Sequence, residues 1–103
     1  IGTALYEEFV YDDDGQLLSS SFMDYLIPTA MEVPELTIGH VETPSPYTPH
    51  GIKGGGEGGR MMAPAAINAA VNDALAPLGV RLTELPMTPE RILAALRAAG
   101  HAG

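Results

Sequence analysis

Apolar residues recur at helical spacing in the second half of the chain, beginning shortly after Arg60. The apolar positions of this stretch are Ile67, Val71, Ala74, Leu75 and Leu78. Pro64 suits the first turn of such a helix, and Gly79 suits its end, because glycine readily adopts the left-handed conformation that closes helices. The pattern therefore predicts a helix between Arg60 and Gly79.

A second helix is predicted near residue 88. Thr88 provides an N-cap hydroxyl, Pro89 occupies the first helical position, and Glu90 places an acid at the positive end of the helix dipole. The apolar face consists of Ile92, Leu93 and Leu96, and Gly100 ends the helix.

Extended segments are predicted in the first half. The opening residues indicate a helix that runs into a strand, and Asp12-Asp13-Asp14-Gly15 predicts a turn with a hairpin-like return. Further short strands are predicted at residues 36–41 and 80–82, with a stiff proline-rich stretch after the first. The expected fold class is α+β, a small mixed domain with a short sheet and about three helices, and residues 1–103 are expected to form one unit.

Composition excludes several classes of function. Five basic residues against 13 acidic ones give a formal net charge of −8, which opposes binding to nucleic acid or an anionic membrane. No apolar run approaches the ~20 residues needed for membrane insertion. The absence of cysteine excludes disulfides and iron–sulfur ligation by this chain. A cytoplasmic setting is the default expectation.

Six of the nine residues 51–59 are glycine, and this is the most unusual segment of the chain. A flexible linker is one interpretation, and a rigid loop that lets a ligand approach the backbone is the other. A Walker A loop is excluded because Arg60 and Met61 follow the glycines where Lys and then Ser or Thr are needed. The dinucleotide fingerprint also fails, because a proline-rich stretch precedes the glycines instead of a buried strand.

Glu57 is the one acid among these glycines. It is either a solvated surface carboxylate or, in a closed pocket, a general base. His40, His50 and His101 lack metal-ligand spacing, so we expect no metal ligands from this chain. The five methionines are interpreted as packing residues because their spacing is scattered.

The order of several segments carries a resemblance to a known family. The segments are Glu42-Thr43-Pro44-Ser45-Pro46, Gly51-Ile52-Lys53-Gly54-Gly55-Gly56-Glu57, and residues 1–8, 21–30, 69–75 and 85–93. In this order the chain resembles the C-terminal end of the molybdenum-binding large subunit of xanthine dehydrogenases, aldehyde oxidases and carbon monoxide dehydrogenases. The resemblance implies that residues 1–103 are a fragment of the molybdopterin-binding domain.

The resemblance also implies an activity, the oxidative hydroxylation of an aldehyde, a heteroaromatic or carbon monoxide with water as the oxygen source. Glu57 matches the active-site base, and Lys53, Gly54, Gly55 and Gly56 match the backbone that lies against a molybdenum–pterin cofactor, molybdopterin cytosine dinucleotide. The implied partners are the remainder of the large subunit, an FAD-binding medium subunit and a 2Fe-2S small subunit. The isolated fragment is expected to be inactive. The alternative is a non-catalytic anion-binding or structural assembly module.

Overall fold

Three α-helices carry the regular structure of residues 1–101, the part of the chain described by the computed structural model. They are α1 (Gly2–Leu5), α2 (Ala63–Leu75) and α3 (Pro89–Ala98), and two 3₁₀ turns lie at Pro49–Gly51 and Ala76–Leu78. The expected number of helices is confirmed. Within this part of the chain, no helix combines the length and the apolar character needed to cross a membrane.

Helix α2 follows the glycine-rich segment directly. Pro64 lies in its first turn, where a missing N–H costs no helical hydrogen bond. The α-helix changes to a 3₁₀ turn after Leu75 because Pro77 has no N–H to donate to a carbonyl of the preceding turn. Gly79 then ends the segment with φ 68°, as the sequence predicts.

Helix α3 begins as predicted. The Thr88 hydroxyl accepts a hydrogen bond from the backbone N–H of Arg91 at 3.3 Å, and Pro89 occupies the first turn. Arg97 in the last turn complements the negative end of the helix dipole. One face of the helix, with Ile92 and Leu96, is half-buried.

The core of the described chain is small and joins its two ends. Its buried apolar residues are Ala4, Leu75, Val80 and Met87. The N–H of Met87 donates to the carbonyl of Ala4 at 2.7 Å, and the Arg91 guanidinium forms an ion pair with the Glu8 carboxylate. The segment before α3 is therefore fastened to α1 by a backbone hydrogen bond, and α3 itself is fastened to the residues just after α1 by the ion pair.

A side-chain amide holds the segment after α2. Asn72 Nδ2 donates to the carbonyl of Leu82 at 2.9 Å, and Asn72 Oδ1 accepts from the N–H of Leu82 at 2.8 Å. The amide satisfies both backbone groups of Leu82, as a neighbouring strand would. Asn72 thereby fixes residues 80–82 against α2 without a sheet.

The predicted hairpin-like return is present at the start of the chain. Asp12 Oδ1 accepts hydrogen bonds from the N–H groups of Asp14 and Gln16, and Gly15 has φ 79°. The flanking residues Tyr11 and Leu17 form an isolated antiparallel bridge. Glycine suits this turn because a positive φ is costly for residues with a Cβ.

The predicted short sheet is not observed, since this bridge is the sole β pairing within residues 1–101. Residues 36–41 have no regular secondary structure, and no other segment of the described chain pairs with them. Residues 80–82 bond to the Asn72 side chain instead of to a strand. The prediction was wrong because an apolar alternation indicates a surface to be covered, whereas a sheet also needs a partner strand.

The described chain is elongated. Its radius of gyration is 18.2 Å, against about 13 Å for a compact domain of 100 residues. Apolar side chains in the first half are strongly exposed, with Val41 92% and Ile38 80% accessible. Exposed apolar side chains occur in close succession along residues 22–41, so this half of the chain presents apolar surface that the described residues do not cover.

We expect Asn72→Ala to release the segment that follows α2. The N–H of Leu82 loses its acceptor, so its hydrogen exchange should accelerate about five- to tenfold, equivalent to about 1 to 1.4 kcal/mol. The measurement is amide hydrogen exchange of the chain. Asp73→Ala, an exposed substitution on the same helix, is the matched control, and equal exchange in the two variants would contradict this role for Asn72.

Candidate functional site

The glycine-rich segment lies between the 3₁₀ turn at Pro49–Gly51 and helix α2, and residues 54–59 are all exposed in the described chain. The carbonyl of Glu57 accepts hydrogen bonds from the N–H groups of Arg60 and Met61, at 3.0 and 3.1 Å. These two bonds form a turn that connects Glu57 to the start of α2. The downstream end of the loop is therefore ordered by its own backbone.

The glycines at 54, 55, 56, 58 and 59 have no structural requirement within the described chain. None of them lies in the left-handed region of φ that favours glycine. A Cβ added to Gly54, Gly55, Gly56 or Gly59 would meet no atom within 4 Å, and one on Gly58 would make only ordinary contact with the carbonyl oxygen of Gly55. Neither backbone conformation nor crowding by residues 1–101 explains why side chains are missing here.

Backbone donors of the loop are also free. Among residues 1–101, no backbone carbonyl or side chain accepts a hydrogen bond from the N–H groups of residues 53–57. Free amides in consecutive residues can bind an anionic or polar group that approaches the backbone. The segment thus offers both space and donors to a group from outside the described chain.

A cavity of about 520 Å³ lies beside the Glu57 carboxylate. Its lining consists of Gly54, Gly56, Glu57, Gly58, Met61 and Met62. The two methionines follow Glu57 by four and five residues, and the turn at Glu57 brings them to the same cavity. Among residues 1–101, the interpretation of the five methionines as packing residues holds only for Met87, which is buried. Met23, Met31, Met61 and Met62 are 87%, 90%, 67% and 68% exposed, and Met61 and Met62 line this cavity. Their closeness to Glu57 in the sequence was the available signal.

Lys53 stands at the upstream end of the loop. Its ammonium group donates a hydrogen bond to the hydroxyl of Thr43 at 2.6 Å, across a turn of ten residues. The Lys53 side chain is therefore directed to the proline-rich stretch rather than to the glycines that follow it.

Other titratable groups form no comparable site. Among residues 1–101, no three His, Cys, Asp or Glu side chains converge as metal ligands would. A second cavity, of about 590 Å³, is lined by Phe9, Tyr25 and neighbouring apolar and serine residues. The Tyr25 hydroxyl donates to Glu7 Oε2 at 2.6 Å, and this hydrogen bond raises the pKa of the phenol. Tyr25 is thereby held as a neutral donor.

Comparison with known proteins shows what the chain as a whole is similar to. Residues 1–34 match the model of a molybdopterin cofactor-binding domain. The nicotine 6-hydroxylase large subunit of Paenarthrobacter nicotinovorans is 50% identical over 97 residues, which is 94% of this chain and 12% of that subunit.

Two solved structures are similar in fold as well as in sequence. Quinoline 2-oxidoreductase from Pseudomonas putida 86 superposes with a TM-score of 0.85 and 55% identity, over 91% of this chain and 12% of that one. A Cu,Mo-carbon monoxide dehydrogenase superposes with a TM-score of 0.89 and 35% identity, over 97% of this chain and 13% of that one.

The chain thus spans about an eighth of the length of the proteins that it matches. Similarity nevertheless extends over nearly all of its own residues and includes the loop that contains Glu57. The chain belongs, as a fragment, to the molybdenum-binding large subunits of the xanthine dehydrogenase, aldehyde oxidase and carbon monoxide dehydrogenase family.

Proposed function

We propose that this chain is the C-terminal part of a molybdenum hydroxylase large subunit and that Glu57 is the base of its active site. The observation that carries the proposal is the loop of residues 53–57, where five consecutive N–H groups lack acceptors within residues 1–101 and glycines have no neighbours there. A loop built in this way fits a bulky group that lies directly on the backbone.

The backbone of Lys53, Gly54, Gly55 and Gly56 would hold the molybdenum–pterin cofactor, in its cytosine dinucleotide form. Their amides would donate to its polar and anionic atoms, and the missing side chains would permit close contact. When bound, the cofactor supplies the redox centre at which the substrate is oxidised and oxygen from water is introduced.

Glu57 would accept the proton released when the oxygen from water attacks the substrate. Its neighbours Gly56 and Gly58 leave the carboxylate unscreened on both sides, so it can come within hydrogen-bond distance of the reacting group. The rest of the large subunit would enclose the carboxylate, which is exposed in residues 1–101 taken alone. The isolated chain would therefore be inactive.

A heteroaromatic substrate is the proposal that the relatives favour. The two relatives with 50% and 55% identity are named for nicotine and quinoline, both nitrogen heteroaromatics, whereas the carbon monoxide dehydrogenase structure has 35% identity. Met61 and Met62 suit such a substrate, because thioethers make favourable contacts with aromatic rings.

The partners would be the remainder of the large subunit, an FAD-binding medium subunit and a 2Fe-2S small subunit, in the cytoplasm. Support comes from the names of the relatives, which describe a large subunit and a subunit gamma of a dehydrogenase complex. The exposed apolar side chains of residues 22–41 provide surface for the first of these partners.

A second candidate function is a non-catalytic anion-binding module. The free N–H groups of residues 53–57 favour it, because they would bind an anion without further chemistry. The negative charge of Glu57 inside the same loop opposes it, since a carboxylate repels an anion at short range. The hydroxylase proposal gives both features a role.

Glu57→Gln in the full-length subunit, assembled with its partners, should lower kcat about 10²- to 10⁴-fold, because the amide cannot accept the proton. Molybdenum and pterin content should stay unchanged, since Gln has nearly the shape of Glu. The measurements are steady-state turnover and cofactor analysis. Glu84→Gln, which changes an exposed acid outside both the site and residues 22–41, is the matched control, and full turnover in Glu57→Gln would refute the role of the base.

Gly55→Ala should distinguish an effect on the stability of the chain from an effect on cofactor binding. Within residues 1–101 the added Cβ meets nothing, so the circular dichroism and thermal unfolding of the chain should not change. In the full-length subunit the same Cβ would meet the cofactor, and the molybdenum content should fall severalfold. Gly39→Ala, which is equally open, is the control. Full cofactor content in Gly55→Ala would argue against close contact at this residue.

A further inference from the structure

Residues 43–53, immediately before the glycine loop, form a closed turn whose two ends are linked. The N–H of Ser45 donates to the carbonyl of Gly51 at 3.2 Å, and the Lys53 ammonium donates to the Thr43 hydroxyl at 2.6 Å. One link joins backbone to backbone and the other joins side chain to side chain. We call this closed turn the clamp.

The interior of the clamp is also bonded. The Thr48 hydroxyl donates to the carbonyl of Ile52 at 2.7 Å, and the N–H of Gly51 donates to the carbonyl of Thr48 at 3.1 Å. His50 and Gly51 follow each other in the left-handed region, with φ 57° and 71°. A positive φ at a residue with a Cβ is uncommon and persists only where surrounding contacts hold it.

Gly51 packs directly on the opposite side of the clamp. A Cβ added to it would lie 2.6 Å from the Cβ of Pro44 and 3.2 Å from its Cα, distances at which the backbone must move. Gly51 is therefore required both by its φ and by this close approach. The glycines that follow, at 54–56, have neither constraint.

The clamp is held by its own contacts and the glycines at 54–56 are not, and this difference bears on the position of Glu57. Its downstream side is fixed by the bonds from Arg60 and Met61 to its carbonyl. On its upstream side, Gly58 N–H donates to the carbonyl of Gly55 at 3.4 Å within the loop, but residues 54–56 make no hydrogen bond to any described residue outside the loop. The position of the carboxylate then depends on the position and direction of the backbone at Lys53. The Lys53–Thr43 hydrogen bond is the last contact before the glycines that can fix the backbone there.

We propose that the clamp positions the Glu57 loop and that Thr43 and Lys53 are positioning residues acting through their mutual hydrogen bond. This inference rests on the proposed function and deepens it. The side chain of Lys53 serves the clamp, while its backbone stays available for the cofactor. A displacement of the base by about 1 Å can lower a rate on the order of 10²-fold, so a partial loosening has a measurable effect.

The test uses Thr43→Val in the full-length subunit assembled with its partners. Valine keeps the shape of threonine but removes the hydroxyl, so kcat per bound molybdenum should fall about tenfold and KM should change less than kcat. Hydrogen exchange of the amides of residues 54–58 should accelerate. Thr43→Ser, which restores the hydroxyl, should recover both kcat and protection from exchange, a recovery that loss of packing alone would not give.

Lys53→Met should reproduce these effects, and the Thr43→Val/Lys53→Met double variant should lose no more than either single variant, because one hydrogen bond is removed in all three. Gly51→Ala provides a backbone test of the same clamp. Its control is Gly15→Ala, which carries the same strain of a positive φ but meets no atom within 4 Å and lies outside the clamp. Gly51→Ala should lower kcat, whereas Gly15→Ala should not.

Two results would overturn the clamp proposal. One is unchanged kcat and unchanged hydrogen exchange in Thr43→Val. The other is loss of molybdenum with unchanged kcat per bound molybdenum, which would make the turn a device for cofactor retention. Neither depends on the identity of the base, because Glu57→Gln decides that separately. If Glu57→Gln abolishes turnover while Thr43→Val does not, the proposed function stands and the clamp fails.

Discussion

The position of Glu57 depends on a backbone that makes almost no contacts of its own. Residues 54–56 have free N–H groups, no side chains and no hydrogen bond to described residues outside the loop, so the loop is defined by its two ends. The Pro49–Gly51 turn and the Lys53–Thr43 hydrogen bond set one end, and the turn into α2 sets the other. Because both ends of the loop are hydrogen-bonded and the glycines between them have no side chains, there is room for a large group beside the carboxylate.

Specific polar contacts connect segments of the described chain that share only a small apolar core. Its buried apolar core is limited to Ala4, Leu75, Val80 and Met87, and specific hydrogen bonds connect distant segments. Asn72 replaces a neighbouring strand for Leu82, and the Arg91–Glu8 ion pair ties α3 to the first residues. Hydrogen bonds are directional, so they can specify the arrangement of segments that bury little surface.

Under the proposed function, the site in this chain would form one wall of a larger enclosure. It contributes a carboxylate, consecutive free amides and the apolar side chains of Met61 and Met62, all on one cavity or at its edge. The first half of the chain contributes apolar surface, with Phe22 83% and Val41 92% exposed. Exposed apolar surface of this extent is typical of an interface with other polypeptide, and the relatives are about eight times longer than this chain.

The sequence by itself determined the helices, the turn at Gly15 and the family, because caps, prolines and glycines act through neighbouring residues and the motifs are contiguous. It also singled out Glu57 through its glycine neighbours. Tertiary structure alone decided that residues 36–41 and 80–82 form no sheet, since pairing depends on which segment lies alongside. It likewise decided the link from Lys53 to Thr43 and the place of Met61 and Met62, because spacing along the chain does not specify which side chains meet in space.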